Sequence, residues 1–430
     1  MKLSPIQRVQ GRLQLPGDKS ISHRAALIAA LASGSSTIKN FSTAEDCAST
    51  LSCLEQLGIQ IKRSGSTVQV EGNANLRKPA APLDCGNSGS TMRILSGVLA
   101  RQNFSCVLTG DSSLNSRPMS RIIEPLEMMG ARFHSNSGKP PLIVYGSEEI
   151  KPISYKLPVA SAQVKSAILF AALGAHGRTE VKESSPSRDH TERLFNGFGV
   201  IVTTSEDLTV TMEGPAQLLG GDITIPGDVS SAAYFIAAAM LLPGSDVTIK
   251  NVGLNETRAE FLSILRSWGA DISTDDIRTE RYEPIGTVRV RGGMQTNANR
   301  PNERCIEKTK IPSVIDELPL LAVVGTQVSG GIEIRDAGEL RHKESDRLKA
   351  TAINLRSMGA EVEEYSDGLA VFGPTQLRGA SIDSYGDHRI AMAFTVAALV
   401  ADGPTEIAGT DCVNISFPEF FDLLNSIAVR

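Results

Sequence analysis

One pattern recurs six times along the 430-residue chain and restricts its fold more than any other feature. A short apolar strand leads through a small polar turn into an Ala/Leu-rich helix. The six copies are LQLPGDKSISHRAALIAAL from Leu13, LDCGNSGSTMRILSGVL from Leu83, KLPVASAQVKSAILFAAL from Lys156, ITIPGDVSSAAYFIAAAM from Ile223, KIPSVIDELPLLAVV from Lys310 and IDSYGDHRIAMAFTVAAL from Ile382. A β-like stretch such as GSSTIKNF follows, then a second helix that stops on glycine before another strand, as in LEQLGIQI and LRSMGAEV. Gly58, Gly130, Gly199, Gly269 and Gly359 stand where a left-handed residue ends a helix. The unit therefore reads β-α-β-α-β-β over about 65–90 residues. Repeats this regular predict an α/β protein of two similar domains, three units each, with a cleft between them. The predicted boundaries are 14–226 for the first domain and 1–13 plus 227–430 for the second. The chain crosses near Leu13–Gly17 and Thr224–Asp228, and both crossings are hinge candidates. The sixth unit ends at FPEFFDLLNSI, so the first dozen residues are expected to supply a strand to the second domain.

Composition excludes several classes of function. A net charge of −5 gives no overall basic field for nucleic acid. Cysteines at 47, 53, 85, 106, 305 and 412 form no CxxC pair and no zinc-finger spacing with histidine. Reduced thiols in a cytoplasmic protein are the expectation. The opening MKLSPIQRVQGRLQLPG lacks the apolar core of a signal peptide. The longest apolar runs, Ala232–Leu242 and Ile390–Val400, fall short of the ~20 residues that span a membrane and read as buried helices. Neither a metal nor an organic cofactor is expected.

The chemistry is expected at the helix starts. Free backbone N–H groups and the helix dipole make such ends suited to anions. Lys19, Ser20 and Arg24 open the first unit. Asn87, Ser88, Gly89, Ser90 and Arg93 open the second, with Arg117 held extended by Pro118. Ser161, Ala162, Gln163 and Lys165 open the third, followed by Arg188, Asp189 and His190, where Asp189 or Thr191 is a candidate cap. Asn255, Thr257 and Arg258 read as a structural loop. Asp316 and Glu317 open the fifth helix, where capping is the ordinary role. Lys343, Glu344 and Arg347 follow, and Lys343 and Arg347 share a face if the helix has already begun. Asp387, His388 and Arg389 open the sixth. Each segment alone has an ordinary reading as a cap, a core histidine or a solvated charged face. Together they are basic and amide side chains at equivalent points of a repeat, with few acids among them. Arginine binds phosphate and carboxylate bidentately. Two anionic substrates are the expectation.

LPGDKSISHRA, GNSGSTMR, SRPM, SAQVKSA, RDHTERL, NETR, HKESDRL and GDHRIAMA, in this order, resemble the 5-enolpyruvylshikimate-3-phosphate synthases over essentially the whole chain. SAQVKS, RDHTE and NETR resemble the class II branch. The resemblance implies two inverse α/β domains that close on substrate, acting as a monomer on two small molecules, shikimate 3-phosphate and phosphoenolpyruvate, without nucleic acid or membrane. It implies that Lys19, Ser20, Arg24, Ser161, Ala162, Gln163, Arg188, Asp316 and Lys343 surround shikimate 3-phosphate. It implies that Lys19, Gly89, Arg117, Gln163, Glu344, Arg347 and Arg389 surround phosphoenolpyruvate. Asp316 matches the proton acceptor for the substrate hydroxyl; Lys19 and Glu344 are the candidates for the remaining proton transfers. Two positions depart from class I: Ile415 stands where a lysine precedes Phe-Pro, and Glu339 stands where class I has asparagine. The rival readings are the sister transferase acting on UDP-N-acetylglucosamine, which uses a reactive loop cysteine, and a non-catalytic anion-binding module.

Overall fold

The computed structural model describes residues 1–293 and 304–430. It divides into two compact units. Unit 1 comprises Met1–Leu15, Gly227–Arg278 and Pro284–Arg430; unit 2 comprises Pro16–Pro226 and Thr279–Glu283.

Unit 2 is built on three helices, α1 (Lys19–Leu31), α2 (Gly89–Ala100) and α3 (Ala162–Ala172). The helices of unit 1 in the same repeat position are α4 (Val229–Leu241), α5 (Leu318–Gly325) and α6 (His388–Val400). The Ala/Leu runs make these helices apolar on nearly every face, and such a helix is stable only when buried all round. Accordingly Ile21–Leu31 of α1 and His388–Leu399 of α6 are buried throughout. The alternating strands then lie outside with one face in the core, as in Lys139–Tyr145, where Pro140, Leu142 and Val144 are buried and Lys139, Pro141 and Tyr145 exposed. Helices inside and sheets outside give the inverse α/β architecture.

Four-stranded sheets repeat one plan. In unit 2, Leu83–Asp84 runs parallel to Ser105–Thr109, which pairs antiparallel with Lys139–Tyr145, which pairs antiparallel with Arg132–Asn136. The sheet from Ser154–Lys156 onward follows the same order. Two leading strands belong to the other unit from the helix they precede. Arg8–Gln14, just before α1, pairs with Asp246–Gly253 in unit 1, and Ile223–Thr224, just before α4, pairs with Gly34–Lys39 in unit 2. Lys2–Leu3 pairs antiparallel with Thr405–Ala408, and Arg8–Val9 with Ala428–Val429. All five glycines at the ends of the second helices have positive φ, where a side chain would be strained.

The hairpin Asp271–Glu280 and Glu283–Arg291 belongs to unit 1 by its strands, while its tip, Thr279–Glu283, belongs to unit 2. There Arg281 Nη1 donates to Gly197 O at 2.7 Å and Glu283 Oε1 meets His190 Nδ1 at 2.7 Å. The sequence reading assigned 227–430 to one body and had no signal for this tip.

Candidate functional site

In unit 2 the predicted residues gather at three helix starts. Asp18, Ser88 and Ser161 cap α1, α2 and α3 through Ile21 N at 2.8 Å, Thr91 N at 3.1 Å and Val164 N at 3.5 Å. With those amides capped by short side chains, the neighbouring cations are positioned by side-chain bonds. Lys19 Nζ lies 2.9 Å from Asp46 Oδ2, and Thr91 Oγ1 reaches Asp46 O at 3.3 Å, which ties α1 to α2. Gln163 at the start of α3 bridges to α2: its Oε1 accepts from Arg93 Nη1 at 2.8 Å and its Nε2 donates to Ser90 Oγ at 2.9 Å. Arg117 Nη2 donates to Asn87 Oδ1 at 2.7 Å and Ser113 Oγ at 3.1 Å. At Gly89 a Cβ would stand 2.7 Å from Arg93 Nη1 and 3.5 Å from Arg117 Nη1, so a side chain there would displace the Arg93 guanidinium. Arg188 Nη1 reaches Ser20 Oγ at 3.4 Å. Lys19, Ser20, Arg24, Gly89, Arg117, Ser161, Ala162, Gln163 and Arg188 thus belong to one connected polar cluster.

Arg24 is the most constrained member. It is 2 % exposed, and burial lowers its pKa to about 10, against the supporting field of Glu192. Its guanidinium donates to Thr191 Oγ1, Ser20 O and Ser166 Oγ at 2.8, 2.9 and 2.8 Å.

Lys165 is not part of this surface, contrary to the sequence reading that grouped it with the helix opening. One turn into α3 it is 1 % exposed, with Nζ 2.6 Å from Glu183 Oε2 and 2.7 Å from Glu192 Oε1. Asp189, expected as a possible cap, makes no capping bond; it pairs with Arg193 at 2.7 Å.

Unit 1 collects Asp316, Lys343, Glu344, Arg347 and Arg389. Arg347 is 2 % exposed and held by Asp387 Oδ2 at 2.8 Å, Asp387 Oδ1 at 3.3 Å and Glu344 Oε2 at 2.7 Å, with Asp316 Oδ1 at 3.5 Å. Burial opposes its charge, but Asp387, Glu344 and Asp316 outweigh burial and hold it above its ordinary pKa. Arg389 lies 3.5 Å from Glu317, 3.9 Å from Asp316 and 3.4 Å from the Tyr234 hydroxyl. Burial pushes Glu317 up, and Arg389 pulls it back. Asp387 also caps α6 through Arg389 N at 2.8 Å, which explains its complete burial. Arg258, read as structural, is buried against Asp228 and Ser230 at 3.5 and 2.5 Å.

One condition is not met in unit 1 and one expectation fails. The helix has not begun at Lys343, so Lys343 and Arg347 do not share a helix face. Asp346 caps the helix Arg347–Ser357 through Lys349 N at 3.0 Å, so Lys343 lies before it and pairs with Glu339 at 3.3 Å. The cluster is also not poor in acids, since Asp316, Glu317, Glu344 and Asp387 surround two arginines. A carboxylate beside each guanidinium makes burial tolerable, and single-letter motifs do not show who pairs with whom. Tyr234, inside the apolar run of α4, carried no sequence signal as a partner of Arg389.

Burial raises Cys47, and pushes Cys106 up to about 12 and Cys412 to about 11. Among the described residues no group of three or more His, Cys, Asp or Glu is placed to hold a metal ion, and no helix is long and apolar enough to cross a membrane.

Comparison with known proteins places the chain. The family model for EPSP synthase (3-phosphoshikimate 1-carboxyvinyltransferase) matches residues 3–424. A 3-phosphoshikimate 1-carboxyvinyltransferase of Koribacter versatilis is 48% identical over 432 residues, covering 100% of this chain and 99% of its own. One of Desulforamulus reducens is 45% identical over 435 residues, with the same coverage. A solved EPSP synthase from Acinetobacter baumannii superposes with a TM-score of 0.87 at 38% identity, covering 99% of this chain and 97% of that one. With a match that runs nearly end to end and relatives close to half identical, the chain belongs to the EPSP synthase family.

Proposed function

We propose that this chain transfers the enolpyruvyl group of phosphoenolpyruvate to the 5-hydroxyl of shikimate 3-phosphate, releasing phosphate. The observation that carries the reading is the family match together with a polar cluster in unit 2 in which the buried Arg24 is held, among the described residues, by two hydroxyls and a carbonyl. A cation so buried is costly until an anion arrives, and both substrates are anions.

The residue roles are those that the family resemblance implies. Lys19, Ser20, Arg24, Ser161, Ala162, Gln163, Arg188, Asp316 and Lys343 bind shikimate 3-phosphate. Lys19, Gly89, Arg117, Gln163, Glu344, Arg347 and Arg389 bind phosphoenolpyruvate. Asp316 takes the 5-hydroxyl proton as oxygen attacks C2, while C3 gains a proton; loss of a C3 proton then expels phosphate. Lys19 and Glu344 serve these C3 and phosphate steps as acid and base. Ile415, half-buried on a short turn, has no proton to offer, so no late proton transfer falls to that position. The six cysteines are all free, as suits a reducing cytoplasm, and the chain is proposed to act there as a monomer.

Phosphate release is expected to require both substrates and to persist in a chelator. Release from phosphoenolpyruvate alone, or a requirement for a divalent ion, defeats the reading. A second check separates the UDP-N-acetylglucosamine transferase. At Cys47, Cys106 and Cys412, whose pKa values burial raises, thiolate is scarce at pH 7. Iodoacetamide on the native enzyme is expected to leave activity intact; rapid inactivation protected by phosphoenolpyruvate favours the cysteine-dependent relative.

A further inference from the structure

We infer that Thr191 and Ser166 are positioning residues, a pair of hydroxyls that aims Arg24 at the anionic substrate while adding no negative charge beside it. The inference rests on the proposed role of Arg24 toward shikimate 3-phosphate.

Proton inventory fixes the direction of every bond. Ser166 has one hydroxyl proton, and it goes to the Ala162 carbonyl at 2.6 Å, because a carbonyl only accepts. The 2.7 Å contact between Ser166 and Thr191 is therefore donated by Thr191. Thr191 Oγ1 in turn accepts from Arg24 Nε at 2.8 Å, and Ser166 Oγ accepts from Arg24 Nη2 at 2.8 Å. Both hydroxyls are buried, at 0 % and 1 % exposure, so water does not compete for them. The chain runs one way, from the guanidinium through Thr191 and Ser166 to the first turn of α3, beside Ser161 and Gln163. Arg24 Nη1 closes the frame on its own helix through Ser20 O at 2.9 Å.

Of the five N–H groups of a guanidinium, three are used, and one remains on each terminal nitrogen. Two parallel donors are what a carboxylate or phosphate takes from an arginine. Among the described residues, no carboxylate makes a hydrogen bond or ion pair with Arg24; its three partners are neutral oxygens. Arg347 is built the opposite way, gripped by Asp387 and Glu344. An acid at position 191 would hold Arg24 equally well but consume the charge that an incoming anion needs.

The test is a double-mutant cycle read by equilibrium binding of shikimate 3-phosphate and by steady-state kinetics. Thr191→Val removes the hydroxyl at constant volume and is expected to raise the dissociation constant about tenfold, on the scale of a hydrogen bond to a charged group. KM for phosphoenolpyruvate should stay within about twofold, and Thr191→Ser should restore binding. In an Arg24→Gln background, Thr191→Val should have no further effect. The relay is overturned, with the role of Arg24 intact, if Arg24→Gln weakens binding but Thr191→Val does not, or if the two losses simply add. If Arg24→Gln itself leaves binding unchanged, the parent reading falls and the relay falls with it. Ser166→Ala interrupts the same chain at its next member and reads the relay if Thr191→Val fails to fold.

Discussion

Asp316→Ala is expected to lower kcat by roughly 10²–10⁴-fold, the range a positioned general base contributes, while binding of shikimate 3-phosphate stays measurable. The expectation rests on how the unit 1 carboxylates divide their work. Asp387 grips Arg347 and caps α6, with no exposed surface. Glu344 is 2.7 Å from Arg347. Glu317 is 2 % exposed and faces Arg389. Asp316 keeps longer distances, 3.5 Å to Arg347 and 3.9 Å to Arg389, and its side chain is 17% exposed. It therefore lies beside two cations and is reachable by a substrate hydroxyl. Asp316→Asn preserves the volume and removes only the basicity, so it should be nearly as slow. Steady-state rates with both substrates saturating decide the matter; a loss smaller than tenfold in both variants assigns Asp316 to structure.

The repeat made the α/β fold legible because each unit spends the same local signals: an apolar helix too uniform to lie on a surface, and a glycine where the next helix stops. Gly58 and Gly359, three hundred residues apart, do the same thing for the same steric reason. The helix starts themselves were equally legible, since Lys19, Gly89, Ala162 and His388 open their helices. What did not show was pairing. Lys165 lies two residues from Gln163 and looked like a neighbour in function, yet one turn of helix carries it into the interior to meet Glu183 and Glu192, from later segments of the chain. Asp387 read as a cap and is also the principal anchor of Arg347, forty residues away. Thr191 read as a possible cap for its own helix and instead serves Arg24. Such contacts depend on three-dimensional proximity between segments whose local patterns are silent about one another.

That buried triad yields the largest expected effect on stability. Lys165→Met fits the space but removes the ammonium that faces Glu183 and Glu192, whose side chains are 4% and 6% exposed. Breaking a buried pair by removing one partner costs roughly 3–5 kcal/mol. For a unit of this size that is about 10 °C in melting temperature. The loss should also depend on pH. Burial raises the pKa of Glu192 in the folded protein, and Lys165 works to lower it. A carboxyl with a raised folded value stabilises the fold when protonated, below the unfolded pKa of about 4.3, and loses that contribution as pH climbs through the folded value. Without Lys165 the folded value climbs further, so protonation relieves the variant at a higher pH than it does the parent. The parent gains in the other direction: burial opposes the Lys165 charge, but Glu192 and Glu183 hold its pKa above normal. That stabilisation is complete below about 10.4 and fades only in stronger alkali. The difference in melting temperature between the two proteins should therefore be widest near pH 7 and 8 and narrow as pH falls toward about 5. Calorimetry across that range decides it: a deficit under about 2 °C at pH 7, or one that stays constant down to about pH 5, means the three charges are not coupled as their geometry requires. Glu192 is also the group whose field most supports the charge on Arg24, which links the interior of unit 2 to the anion cluster at its helix starts.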